Sequence, residues 1–223
     1  MEDFEKYEIF LLGSEQVGKT QFINKIRFNK FDEEYIPTIN FVFFCKNLTI
    51  NGEEKTIIFY DMTGNNDPKY KYLRIQTIKR SKAIFIMYDI TNDESFRKID
   101  EWMSLLKEIN YTNIPIMILG NKLDLEKNRL ISTEEGKKMA EKYGVLFNEI
   151  SCYNETNINN FVIELVSKFV KSNNKTNKEG NLEKNKKIKK VKNKKNLRKS
   201  TRSKYRRAYE SYNCSNNCEC YGF

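Results

Sequence analysis

GSEQVGKT occupies residues 13–20: Gly13, four intervening residues, Gly18, then Lys19 and Thr20. That spacing suits a loop that wraps a phosphate. Gly13 and Ser14 open the loop, and the backbone N–H groups of Glu15, Gln16, Val17, Gly18, Lys19 and Thr20 are placed to surround a β-phosphate. Lys19 would reach the β- and γ-phosphates, and the Thr20 hydroxyl would bind Mg²⁺. The pattern needs a strand before it and a helix after it. Both are legible here, as YEIFLL (7–12) and as GKTQFINKIRF (18–28) with Phe22, Ile23 and Ile26 at helical spacing.

A second constellation, NKLD at 121–124, directly follows the apolar run IPIMILG (114–120). The Asp124 carboxylate can accept from N1–H and N2–H₂ of guanine, groups that adenine does not offer. Asn121 and the stem of Lys122 would fix the loop and cover the base. Such a tetrad is weak evidence alone, because it also occurs where helices begin. One strand–helix–strand unit downstream of a phosphate loop, it points to a guanine nucleotide, GTP or GDP. A third stretch, YDMTGNN at 60–66, ends a strand on Asp61 and turns at Gly64.

Composition removes other chemistries. The 223 residues contain no His, which excludes His-based triads, His general acids and most zinc sites. Five cysteines, three of them in the last ten residues, form no disulfide framework and suit a reducing compartment. No apolar run approaches the roughly 18 residues that span a bilayer, and the acidic start MEDFEKYEIFLLG is read as neither a secretory signal nor a myristoylation site.

The elements that must position these groups alternate along residues 4–170. FVFFCKNLTI (41–50) and EEKTIIFYD (53–61) flank Asn51-Gly52, a two-residue hairpin turn. AIFIMYDI (83–90) has the unbroken apolarity of a parallel strand covered on both faces. DESFRKIDEWMSLLKEI (93–109) is an amphipathic helix on which Trp102 reads as packing, and STEEGKKMAEKYG (132–144) opens with a Ser132–Glu135 capping box. VLFNEIS (145–151) and NINNFVIELVSKFVK (157–171) supply a last strand and helix. The expected fold is α/β, in three layers: a six-stranded, mostly parallel sheet with one antiparallel hairpin pair and five helices.

The charge divides the chain. Residues 171–223 hold 17 Lys+Arg against 4 Asp+Glu, leaving 23 against 26 to residues 1–170. The expected division is a nucleotide-binding domain at 1–170 and a disordered Lys/Asn-rich tail at 171–223. The tail can meet an anionic membrane. It offers little to nucleic acid, since residues 184–207 carry Tyr205 as their only aromatic.

Taken together, GSEQVGKT, the spacing to YIPT (35–38), DMTG (61–64), YDITNDESF (88–96), GNKLDL (120–125) and EISC (149–152) resemble the small GTPases of the Ras superfamily, specifically the Rab branch, over residues 4–170. LISTEEGKKMAEKYGVLFNEIS (130–151) is similar to the Golgi-associated subgroup. The resemblance implies that Thr38 binds Mg²⁺ and the γ-phosphate and that Asp61 holds Mg²⁺ through water. It further implies that Gly64 donates its N–H to the γ-phosphate, Tyr35 closes over the phosphates, and Phe31 lies edge-on against the base. Ser151, Cys152 and Tyr153 would line the guanine. Expected partners are an exchange factor, an activating protein and effectors at the segments around Thr38 and Gly64, with the protein a monomer. Cys218 and Cys220 form a C-x-C that Rab proteins prenylate, implying a prenyl transferase. The implied location is the cytoplasmic face of an intracellular membrane, Golgi or another vesicular compartment, with a cytosolic pool; the implied role is vesicle traffic.

The chain departs from the family in places that concern turnover. Asn65 stands where Gln usually positions the attacking water, and Asn66 where Glu is usual. Glu15 brings a carboxylate to a position near the γ-phosphate. The stretch 65–82 carries Pro68 and is about two residues longer than usual, Asn40 replaces a Gly, and Tyr153 replaces a Lys. The expectation is a Rab-like switch that binds GTP well and hydrolyses it slowly. The alternatives are a GTP-binding scaffold with little hydrolysis, or nucleic-acid binding through the tail.

Overall fold

The structure is a computed structural model that describes residues 6–31, 42–61, 70–111, 113–154, 158–170 and the backbone of 220–221. Tyr35, Thr38, Asn40, Gly64, Asn65, Asn66, Pro68, Cys214 and Cys218 lie outside the described residues. The chain divides into two units, Met1–Phe169 with Glu219–Phe223, and Val170–Cys218; nearly all that is described belongs to the first.

The elements follow the expected order. They are β1 (Lys6–Leu12), α1 (Lys19–Phe28), β2 (Val42–Ile50), β3 (Glu53–Asp61), α2 (Lys71–Ile78), β4 (Ala83–Asp89) and α3 (Asp93–Glu108). There follow β5 (Ile116–Asn121), a 3₁₀ segment (Leu123–Asn128), α4 (Thr133–Tyr143), β6 (Leu146–Glu149), α5 (158–170) and β7 (Cys220–Tyr221). The strand order is β6-β5-β4-β1-β3-β2-β7. β1 runs parallel to both β3 and β4, β4 to β5, and β5 to β6. Only β2 and β7 are antiparallel to their neighbours.

Local chemistry explains these elements. Asn51 (φ 53°) and Gly52 (φ 83°) both take positive φ, the conformation that lets a two-residue turn follow the twist of the β2–β3 hairpin. Ser132 caps α4 by accepting from the Glu135 N–H while the Glu135 carboxylate accepts from the Ser132 N–H. Every residue of β4 is buried, as its unbroken apolar run requires of a strand with helices on both faces. On one face α3 delivers Ile99, Trp102, Met103 and Leu106 onto Ile84, Ile86 and Ile118. Phe22 of α1 meets the Phe85 ring at 5.2 Å, and Phe169 of α5 meets Tyr7 edge-on at 6.1 Å. Burying each such side chain contributes about 1.5–3 kcal/mol.

Six strands are as expected; the seventh is a difference. Cys220 and Tyr221 pair with Phe43 and Val42 on the outer edge of β2, where the tail was expected to carry no structure. An edge strand presents open N–H and C=O groups, and two extended residues suffice to take up part of that row.

The topology places one end of the sheet for binding. β1 has β3 on one side and β4 on the other, so the chain reverses direction across the sheet around β1. Loops leaving the carboxyl ends of strands at such a switch point diverge and leave a crevice. The loop 13–18 follows β1 there, and the register Asp89↔Asn121 brings the ends of β4 and β5 level beside it.

Candidate functional site

The loop between β1 and α1 is built around two glycines that nothing else could replace. Gly13 takes φ 146°, and a Cβ on it would lie 2.4 Å from the Met87 carbonyl oxygen at the end of β4. Gly18 takes φ 96°, and a Cβ there would lie 2.2 Å from Asn121 Nδ2. Gln16, between them, also adopts positive φ (61°). The chain then enters α1, whose first turn carries no capping side chain and no acidic residue, leaving its N–H groups and dipole for an anion.

Lys19 folds back over this loop. Its Nζ donates to the carbonyls of Gly13 at 3.0 Å and Ser14 at 2.7 Å, and the residue is almost fully buried. Burial lowers its pKa to about 8, against the opposing pull of Asp61 and Glu15. Thr20 Oγ1 donates to Asp61 Oδ2 at 2.6 Å, so two predicted metal ligands 41 residues apart stand side by side. These are hard oxygen donors, and Mg²⁺ takes one or two such protein groups together with substrate phosphates and water. Among the described residues no cluster of three or more His, Cys, Asp or Glu could hold a metal, so the donor set fits a phosphate-borne ion and not an all-protein cage. Glu15 is exposed, and its negative charge reaches both Lys19 and Lys98 of α3.

The second half of the site grows from the end of β5. Asn121 is buried, donates from Nδ2 to the Val17 carbonyl at 2.9 Å, and accepts on Oδ1 from the Cys152 N–H at 3.1 Å. Lys122 takes positive φ (71°), and its Nζ lies 2.6 Å from Asp89 Oδ2. Asp124 is exposed in the 3₁₀ segment and accepts from the Ser151 hydroxyl. The same hydroxyl accepts from the Asn154 N–H at 3.1 Å, which closes the turn after β6. Cys152 is buried, its thiol 4.0 Å from the Gly18 carbonyl oxygen, and burial pushes that thiol up to about 12. Tyr153 stands half exposed with its ring edge-on to Phe31.

The structure thus brings together Gly13, Val17, Gly18, Lys19, Thr20 and Asp61 on one side, and Asn121, Lys122, Asp124, Ser151 and Cys152 on the other. Two supporting residues escaped the sequence reading. Asp89 is buried and saturated, accepting on Oδ1 from the Thr91 N–H at 2.8 Å and its hydroxyl at 2.7 Å while facing Lys122 with Oδ2. An Asp ending a wholly apolar strand was the available signal, because a buried carboxylate must be paired. Arg129 is the other. Its guanidinium holds both carboxylate oxygens of Glu126 and of Glu149 and donates to the Ile131 carbonyl, tying the chain after the 3₁₀ segment to β6. No local pattern marks it.

Comparison with known proteins agrees with this geometry. The profile of the Ras family matches residues 8–171. Human Ras-related protein Rab-3A is 28% identical over 152 residues, covering 68% of this chain and 68% of that protein. Bovine Rab-3C is 28% identical over 152 residues, 68% of this chain and 66% of its own length. Mouse Rab-44 is 30% identical over 145 residues, 65% of this chain but 15% of that longer protein.

Removing the Asn121 amide leaves a buried carbonyl and a buried N–H without their partner. Asn121→Ala is expected to lower stability by about 2–4 kcal/mol, measured by urea unfolding; a change under about 0.5 kcal/mol would show that Asn121 does not hold the loops together.

Proposed function

The chain belongs to the Ras family and is a Rab-type small GTPase, and we propose that it is a guanine-nucleotide switch that binds GTP and GDP with Mg²⁺, hydrolyses GTP slowly and acts in vesicle traffic at an intracellular membrane. The observation that carries this reading is the Asn121 side chain, which bonds the phosphate loop at Val17 and the guanine-side turn at Cys152 and so sets the spacing of the two halves.

In this reading the loop N–H groups and Lys19 hold the β- and γ-phosphates, with Thr20, Asp61 and Thr38 holding Mg²⁺. The metal, when bound, neutralises charge between the β- and γ-phosphates. Asp124 accepts from guanine N1–H and N2–H₂, oriented by Ser151. Hydrolysis is attack of water on the γ-phosphorus, breaking its bond to the β-phosphate oxygen and releasing GDP and phosphate. The protein supplies position and charge for a spread, anionic transition state. Gly64 donates to the γ-phosphate, and its release with Thr38 after hydrolysis is the change that effectors, exchange factor and activating protein read. Asn65 has the amide that orders the water but an arm one methylene short of Gln. The exposed Glu15 adds negative charge beside Lys19, where the transition state is already negative. Among the described residues no helix is long and apolar enough to cross a membrane; attachment in this reading comes from prenylation at Cys218 and Cys220, with the basic tail adding attraction to anionic lipid.

Three measurements test the reading. Asp124→Ala is expected to weaken GDP binding by about 10- to 150-fold, from loss of a charge-assisted pair of roughly 1.5–3 kcal/mol, and a wild type that binds ATP as tightly as GTP would refute guanine selectivity. In single-turnover hydrolysis, Asn65→Gln and Glu15→Gly are each expected to accelerate the reaction at least about threefold, since relief of even ~0.7 kcal/mol suffices; rates unmoved by both would remove these residues as the brake. Cys218→Ser with Cys220→Ser is expected to leave GTP binding intact and shift the protein from membranes to the soluble fraction of cells. A double variant that stays on membranes would exclude lipidation there as the anchor.

A further inference from the structure

At the base end of the site the rings of Phe31 and Tyr153 meet edge to face, centroids 5.1 Å apart and planes at 82°. This is an attractive arrangement for two aromatic quadrupoles. Each ring lies within two residues of a bonded backbone or side-chain group. Phe31 follows Asn29, which ends α1 in the left-handed conformation (φ 54°) with its N–H on the Lys25 carbonyl at 3.0 Å. Tyr153 sits inside the turn closed by Asn154 N–H on Ser151 Oγ, one residue from the N–H that Asn121 holds and two from the hydroxyl on Asp124. The aromatic contact therefore joins the exit of α1 to the same bonded unit that presents the guanine-reading carboxylate. Tyr153 remains 51% exposed, so this contact is not the by-product of filling a core.

We propose that the Phe31–Tyr153 pair is a latch on the guanine pocket that slows release of bound nucleotide, with Tyr153 a positioning residue acting through Phe31. The proposal rests on the reading of this end of the sheet as a guanine-nucleotide site, with Phe31 edge-on to the base. Tyr153 gives the Phe31 ring a second surface to stay against. Tyr does this with two side-chain torsions and a rigid face, where the Lys usual at this position is a flexible, strongly hydrated amine. Aromatic pairs of this geometry correspond to about a 2- to 12-fold effect, enough to lengthen nucleotide residence without altering which base is read.

The test is release of N-methylanthraniloyl-GDP from the full chain, chased with excess GDP in Mg²⁺. It compares wild type, Tyr153→Ala, Tyr153→Leu, Tyr153→Phe, Phe31→Ala, and Phe31→Ala with Tyr153→Ala. Release is expected to be about 2- to 12-fold faster for Tyr153→Ala and faster for Tyr153→Leu, which keeps apolar volume without the ring. It should be at the wild-type rate for Tyr153→Phe, and equal in Phe31→Ala and the double variant. The proposal is overturned if Tyr153→Ala releases at the wild-type rate, or if Tyr153→Phe fails to restore it. An undiminished effect of Tyr153→Ala in the Phe31→Ala background also overturns it, since Tyr153 then acts without Phe31. A wild type that does not take up the fluorescent GDP refutes the guanine reading itself, and the latch with it.

Discussion

The carboxamide of Asn121 is where three segments of this chain become one site. It is neutral, buried and bonded at both ends, with the donor on Val17 in the phosphate loop and the acceptor on Cys152 in the turn after β6. A hydrocarbon there would leave a carbonyl and an N–H stranded. The amide's reach also dictates its neighbour: Gly18 must lack a Cβ because Asn121 Nδ2 occupies that space. The requirement for glycine at the mouth of the loop is thus as much a matter of this packing as of backbone conformation. The strand register carries the same constraint inward, since Asn121 stands opposite Asp89 and the Asp89–Lys122 pair fixes the next residue of the loop.

Around that crosslink the electrostatics are set for a ligand. Lys19 is charged at a cost in the folded chain, for its pKa falls from 10.5 to about 8 through burial. Between those values the unfolded chain binds more protons, so stability rises with pH there, and below 8 the cost is present in full. An anion seated on the loop offsets that cost with the amine and the α1 N-terminus together. Thr20 and Asp61 add oxygen donors at the same spot. The base side works differently: Asp124 is exposed and gains its orientation from the Ser151 hydroxyl, which is itself held by the Asn154 N–H. A short chain of hydrogen bonds from the turn leaves this carboxylate both accessible and aimed.

Two of the departures from the family pattern, Glu15 and Tyr153, are exposed side chains beside the bonded framework. Glu15 lies on the exposed crest of the loop, where its side chain disturbs no packing. Tyr153 carries its ring on a turn closed by the Asn154 N–H on the Ser151 hydroxyl. Neither side chain takes part in the Asn121 hydrogen bonds or in the strand register that fix the framework.

Much of the site could be read from the residues in order. The phosphate loop, the guanine tetrad, the Asn51-Gly52 turn, the Ser132–Glu135 box and the buried run of β4 are all contiguous, and each reports a backbone conformation or a burial that its own few residues impose. From these the alternation of strands and helices and the parallel sheet follow. What the tertiary structure decided are the contacts that span the chain: Asn121 to Val17 across 104 residues, Thr20 to Asp61 across 41, Arg129 to Glu149, Asp89 to Lys122, and Phe31 to Tyr153. The two-residue β7 belongs with them, since it uses an edge that exists only once the sheet is ordered. Periodicity states which face of an element is apolar, but not which strand lies beside which or how far one is shifted along the other. Side-chain partners depend on that order and register, so the sequence alone determined the kinds of groups this protein brings to a nucleotide, and only the folded sheet decided which of them hold each other in place.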